Sequence, residues 1–329
     1  MFKIKSLFTI ISLFAVFLLA ACGSSNDQSE GNKADDKKED TSYTIEHAMG
    51  TTKLEKQPER VVVLTNEGTE ALLALGVKPV GAVQSWLGDP WYDHIKEDMD
   101  GVEVVGVEHE VNLEKIAALK PDLIIGTKIR QEAVYDKLSA IAPTVFSETL
   151  RGDWKDNFKL YAKALNLEEK GNEVIADFDA HTEDVKSKLG NKVNQEVSVV
   201  RFMAGTTRIY YTDSFSGVIL DQLGFKRPEQ QKELFTADNK LGNLAIEVGK
   251  EVIPKMDGDI IFYFTYAPEG DKQALSTAKE MTNDPLWKNL DAVKKGNAYE
   301  VSDATWNTAG GVIAANKMLD DLEKIMLEK

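Results

Sequence analysis

The segment from Asn166 to Gly190, NLEEKGNEVIADFDAHTEDVKSKLG, reads as one uninterrupted helix. Asn166 is the expected N-cap with Glu169 three residues on, and Glu168, Glu173 and Asp177 load the N-terminal half. Lys186 and Lys188 precede a stop at Gly190, so the charges suit the helix dipole. The apolar positions Val174, Phe178, Val185 and Leu189, with Ile175 beside them, form only a thin stripe. Most of the circumference is therefore expected to face water. At about 1.5 Å per residue such a helix spans roughly 33 Å, the scale of a small domain. This pattern predicts a strut joining two bodies rather than the centre of a single core.

The flanks predict what those bodies are. After an opening hairpin that turns at Met49-Gly50, short β-rich runs alternate with helices: Arg60–Leu64, Thr69–Leu75, Val80–Val83, Val102–Val107, Leu113–Leu119, Leu123–Ile125, Glu132–Ile141 and Thr144–Phe146. Beyond the strut come a strand at Ser198–Phe202, helices at Phe215–Leu223 and Glu251–Met256, and a strand at Asp259–Phe264. The alternation implies α/β lobes with mainly parallel sheets. The halves also match each other. Leu75-Gly76-Val77-Lys78 parallels Leu223-Gly224-Phe225-Lys226, and EKIAALKPDLII from Glu114 runs in step with EVIPKMDGDIIF from Glu251. The expected organisation is an N-terminal α/β lobe at 43–165, a linker helix at 166–190 and a C-terminal α/β lobe at 191–329. The cleft between two such lobes is where a ligand is expected, held by loops that follow the strands.

The N-terminus carries a different message. Lys3 and Lys5 precede an apolar run from Leu7 to Ala21 that ends in LAAC, after which the chain turns polar. A basic start, a short apolar core and small residues at the cut make residues 1–21 a secretory signal, too short for a comfortable membrane span. Leu-Ala-Ala followed by Cys22 resembles a bacterial lipobox, which implies lipidation of that thiol and attachment to the outer face of the cell membrane. Residues 22–42, almost without apolar side chains, are expected to be a flexible tether. Cys22 is the chain's single cysteine, which rules out an internal disulfide framework and any cysteine-rich metal site. A net charge of −15 disfavours nucleic acid as a partner.

Sequence signatures of catalysis are missing: the chain has no G-x-S-x-G, no phosphate-binding loop, no G-x-G-x-x-G and no H-E-x-x-H. The histidines, His47, His94, His109 and His181, are scattered, so a resident metal is not expected. Arginines and aromatics in the loops are the better candidates. Arg130 follows one strand, Arg201 lies in SVVRFMAG, and Arg208 lies with Tyr210 in TTRIYYTD. Trp86 follows another strand, Tyr263 and Tyr266 flank the end of the Asp259–Phe264 strand, and Trp306 precedes the last helix. A guanidinium fork suits oxygen-rich anions, and aromatics beside it give flat apolar walls. Arg60 and Arg227, at a strand entrance and a helix end, are expected to be structural.

Taken together, the lipobox, TIEHAMGTTKLEKQPERVVVL, ALLALGVKPVGAV, NLEKIAALKPDLIIG, the strut, DPLWKNLDAVKKGNAYEV and TWNTAGG resemble the iron–siderophore substrate-binding lipoproteins of ABC importers, relatives of the vitamin B12 and ferric-hydroxamate binding proteins. The resemblance covers essentially the whole mature chain. It implies two lobes on a helical backbone, little hinge motion, no enzymatic activity, no cofactor and action as a monomer. It implies as ligand a ferric siderophore of hydroxamate or mixed citrate–hydroxamate type, held at Arg130, Arg201, Arg208 and Trp86, to which the loop aromatics add Tyr210, Tyr263 and Trp306 as candidates. Glu114 and Glu251 match the acidic residues that each lobe presents to the permease. Three readings remain beside it: a haem or corrinoid receptor, which would need an axial Tyr, His or Met in the cleft, a secreted hydrolase, and a scaffolding lipoprotein.

Overall fold

The computed structural model describes residues 41–236 and 244–327. Cys22, the signal at 1–21 and the tether up to residue 40 lie outside the described residues. Tyr43–His47 (β1) and Gly50–Leu54 (β2) form the opening antiparallel hairpin. The first sheet contains Val61–Val63 (β3), Gly81–Ala82 (β4), Glu103–Val104 (β5), Leu123–Thr127 (β8) and Thr144–Ser147 (β9), in the order β5-β4-β3-β8-β9 and all parallel. A small antiparallel pair, Gly106–Val107 (β6) with Glu110–Val111 (β7), sits between β5 and β8 in the chain.

The second sheet is mixed. Val197–Met203 (β10), Ile260–Thr265 (β13) and Ala298–Glu300 (β14) are parallel, while Thr206–Tyr210 (β11) and Ala245–Val248 (β12) run antiparallel at one edge. A tight turn through Gly205, at φ 66°, joins β10 directly to β11. Arg208 and Tyr210, expected in a loop, are therefore on a strand.

Alternation along the strands sorts the core into layers. Val61 and Val63 face one cluster and Val62 and Leu64 another; Val197 and Val199 face inward while Val200 and Phe202 face the outer side of the second sheet. The inner cluster runs without interruption from β3 through the intervening helices to Phe262 and Phe264 on β13. The two sheets thus share one helical layer. The strut is part of it: Glu168–Leu189 buries Gly171, Ile175, Phe178, Thr182, Val185 and Leu189 against the helices Trp154–Ala164, Phe215–Leu223 and Val312–Leu327. Phe178 meets the edge of Trp154 with ring centres 5.0 Å apart. The thin stripe is as expected, but it is a packing face rather than the seam of a free-standing rod.

Asn166 is not the N-cap of this helix. It sits at φ 54°, donates its N–H to the carbonyl of Lys163, and Leu167 donates to Ala162. These two bonds close the preceding helix in a Schellman motif, a place where asparagine tolerates the left-handed conformation. The long helix then starts at Glu168 with no side-chain cap.

The internal match has a structural counterpart. Gly76 and Gly224 both take positive φ, and Val77 and Phe225 close their helices by donating to Leu72 and Leu220. Asp122, just before β8, accepts from the backbone N–H of Arg60 at 2.8 Å, and Asp259, just before β13, accepts from that of Glu196 at 2.9 Å. Each aspartate pins the entrance of the neighbouring central strand. The copies diverge in the helices before them: Leu113–Ala118 is an α-helix, whereas Lys250–Met256 is a 3-10 helix containing Pro254. A proline there cannot donate to the carbonyl four residues back, which favours the tighter winding.

Candidate functional site

The side chains of interest follow the C-terminal ends of parallel strands, the edge at which α/β sheets bind ligands. In the first sheet a buried glutamine organises that edge. Gln131 accepts from the Thr127 N–H at 2.9 Å and donates to the carbonyls of Leu64 at 3.1 Å and Glu108 at 2.5 Å, tying together three segments. Arg130, beside it, is 35% exposed, and its Nε lies 3.8 Å from Oε2 of Glu108. Glu108 is only 3% exposed. Its Oε1 accepts from the backbone and side-chain nitrogens of Asn66 at 2.8 and 2.9 Å, while Oε2 has no hydrogen-bond partner among the described residues. Trp86 stacks on His109, the residue after Glu108, with ring centres 5.7 Å apart.

In the second sheet Arg201, 4% exposed, lies near the end of β10. Its Nε and Nη2 donate to the two oxygens of Asp303 at 2.6 and 3.1 Å, and Nη1 donates to the Tyr210 hydroxyl at 3.1 Å. The ring of Tyr266 covers the guanidinium at 4.6 Å. Burial alone would pull this arginine's pKa down; the Asp303 carboxylate and Tyr210 outweigh it and leave the pKa raised. A buried cation with this many fixed partners is a rigid wall element.

The two sides meet. Tyr266, whose hydroxyl is pushed upward in pKa first by burial, feels the charges of Arg201 and Asp303 from its own half and of Arg151 and Glu108 from the other. Arg201 and Asp303 of the second lobe and Arg151 and Glu108 of the first therefore act on one tyrosine ring, while Arg201 and Tyr210 are themselves buried.

Two expected site residues belong elsewhere. Tyr263 alternates onto the outer face of β13, where it packs edge-on against Trp287 at 5.6 Å and beside Phe202. Trp306 is 0% exposed, packs against Phe262 at 4.6 Å and donates its Nε1–H to Asp321 at 2.9 Å. The helical turn Ala304–Thr308 that carries it folds back onto the last helix, making it a core residue. Arg208 pairs with Glu247, directly opposite on the antiparallel edge, at 2.8 Å.

Arg60 and Arg227 are structural as expected, donating to the backbone carbonyls of Leu119 and Val197. Three further residues reach these strand ends without having been singled out from the sequence: Glu67 in the first turn of the helix Asn66–Ala74, and Glu108 and Arg151 in loops. Arg151 follows β9 in ETLRGDW, so the rule that pointed to Arg130 applies to it equally. No group of three or more His, Cys, Asp or Glu side chains placed to hold a metal occurs among the described residues. Glu114 and Glu251 are both exposed, in the first turns of the two equivalent helices. Helices antiparallel to the strands they feed start at the strands' C-terminal edge, so both carboxylates lie on the rim side of their lobes.

Two α/β lobes on a shared helical layer, with arginines and aromatics at the strand ends between them, define a two-lobed binding protein. The chain belongs to the periplasmic binding protein family, whose model matches residues 61–305. It is 57% identical over 319 residues to the probable siderophore-binding lipoprotein YfiY of Bacillus subtilis, covering 97% of each chain. It is 31% identical over 322 residues to the Fe(3+)-citrate-binding protein YfmC of the same organism, covering 97% of this chain and 96% of that one. Among solved structures, Staphylococcus aureus SirA complexed with staphyloferrin B superposes with a TM-score of 0.78 at 40% identity, over 86% of this chain and 98% of that one.

Proposed function

We propose that this chain is an extracytoplasmic receptor that captures a ferric siderophore, of hydroxamate or mixed citrate–hydroxamate type, and delivers it to an ABC permease, anchored to the membrane by a lipid on Cys22. The observation that carries the reading is the near full-length likeness to a probable siderophore-binding lipoprotein; Arg130, Arg201 and Trp86 near the strand ends of the two lobes support it. Iron(III) is a hard ion that the siderophore's own oxygens enclose. The receptor then reads the outside of a finished complex, and guanidinium groups and aromatic faces are what it needs for an oxygen-rich surface.

Tryptophan fluorescence tests this. Ferric complexes of hydroxamate, citrate–hydroxamate and catecholate siderophores, and haem, are titrated into the mature protein. Saturable quenching by the first two, with the complex recovered chemically intact, is the expected result. Quenching by haem alone, or conversion of the added complex, would replace the reading. For delivery, Glu114→Ala combined with Glu251→Ala is expected to leave ligand affinity unchanged while iron uptake by cells falls to the level of a receptor deletion. Normal uptake would remove the docking role.

A further inference from the structure

Of Arg130, Arg151, Arg201 and Arg208, one guanidinium has no carboxylate partner among the described residues. Arg201 is held by Asp303, Arg208 by Glu247, and Arg130 faces Glu108. Arg151 has no carboxylate within ion-pair distance and no side-chain hydrogen bond among the described residues, although it is half-buried. Leaving a partly desolvated cation unpaired is costly unless something else supplies the anion.

Its position is fixed by the backbone. Arg151 sits at φ 71°, a left-handed conformation unfavourable for a long side chain, and its N–H donates to Oε2 of the buried Glu67 at 2.5 Å. Its stem runs toward the loop of the other lobe: a methyl group placed on Gly310 would lie 3.4 Å from its Cγ. It also acts electrostatically on Tyr266 of the second lobe and on Tyr92 of the first. Strain held by a buried glutamate side chain, and a cation whose stem lies against the other lobe's loop without a carboxylate partner, are the features of a preorganised anion contact.

We propose that Arg151 is the residue that reads ligand charge, pairing with an anionic oxygen on the face of the bound iron complex and so favouring complexes built on a hydroxycarboxylate over uncharged ones. This assignment rests on the siderophore reading above. A citrate-based dihydroxamate complex of iron(III) is net anionic, because the α-hydroxycarboxylate contributes two negative charges where a third hydroxamate contributes one. A trishydroxamate such as iron(III)–ferrichrome is net neutral.

The test titrates both complexes into the mature protein and into Arg151→Gln and Arg151→Lys, following tryptophan quenching. Arg151→Gln is expected to lose at least about tenfold in affinity for the anionic complex, the scale of one charge-assisted bond. The neutral complex should change little, and Arg151→Lys should recover part of the loss. Unchanged affinity for the anionic complex, or equal weakening for both, would overturn the assignment while leaving the siderophore reading in place. Wild-type protein that binds neither complex would remove the reading and the assignment together.

Discussion

Asp303→Ala is expected to destabilise the protein by about 3–5 kcal/mol, because it strands the guanidinium of Arg201 in a site that water does not reach. Both partners are buried, and Asp303 supplies two of the three side-chain hydrogen bonds that Arg201 makes. The face of Tyr266 and the hydroxyl of Tyr210 remain, but neither carries a full negative charge. Ligand affinity should fall as well, since the wall formed by Arg201 and Tyr266 would relax. Removing both charges by Arg201→Met with Asp303→Leu should restore much of the stability, as apolar replacement of a whole buried pair often does, without restoring affinity. Urea unfolding of the three proteins provides the comparison. A loss in Asp303→Ala within about 1 kcal/mol, the range of an exposed pair, would show that water reaches the bridge and that the wall is not rigid.

Much of the architecture can be read from the chain because it depends on local patterns. The long helix, the β3 and β8 cores and the repeated Leu-Gly helix stop each follow from a short run of residues whose spacing and turn chemistry agree. The aspartates Asp122 and Asp259 fall in step in the sequence because both pin a strand entrance. What the sequence does not show is which way a side chain faces once strand order is fixed. Tyr263 and Tyr266 are three residues apart, so alternation carries one to the outer core and the other to the inner face, where it covers Arg201. Trp306 reads as a loop aromatic until the helical turn Ala304–Thr308 returns it to the last helix.

Ion-pair partners are harder still. Arg201 and Asp303 are 102 residues apart, and Arg208 meets Glu247 only because β11, turned back on β10, pairs in turn with the later strand β12. Neither pairing has a local signature. Arg151 is the opposite case. Its place after a strand is legible, but its importance depends on the other three arginines having found carboxylates.

The helix Asn66–Ala74, expected at Thr69–Leu75, buries two acids, Glu67 and Glu70, that no local pattern marks as buried. Glu67 accepts from the Arg151 N–H and from Asn157 Nδ2 at 2.7 Å, and it lies within reach of the Glu108 charge and of Tyr161. Burial, reinforced by Glu108 and only partly offset by its two donors and by the Arg151 charge, pushes its pKa up to about 8 from 4.5. Between these values the folded protein holds a proton on Glu67 that the unfolded chain has released, so this group's contribution to stability falls as pH rises through the window. The slope is at most about 1.4 kcal/mol per pH unit, and it vanishes above the folded pKa, where both states are ionised. Glu67→Gln cannot titrate. Measured by urea unfolding from pH 5 to pH 8, the stability of wild-type protein relative to Glu67→Gln is expected to decline by several kcal/mol in total, on the order of that slope summed over the window. A difference that stays constant with pH would mean that Glu67 is ionised throughout, and that the turn presenting Arg151 is held by a carboxylate rather than by a carboxylic acid.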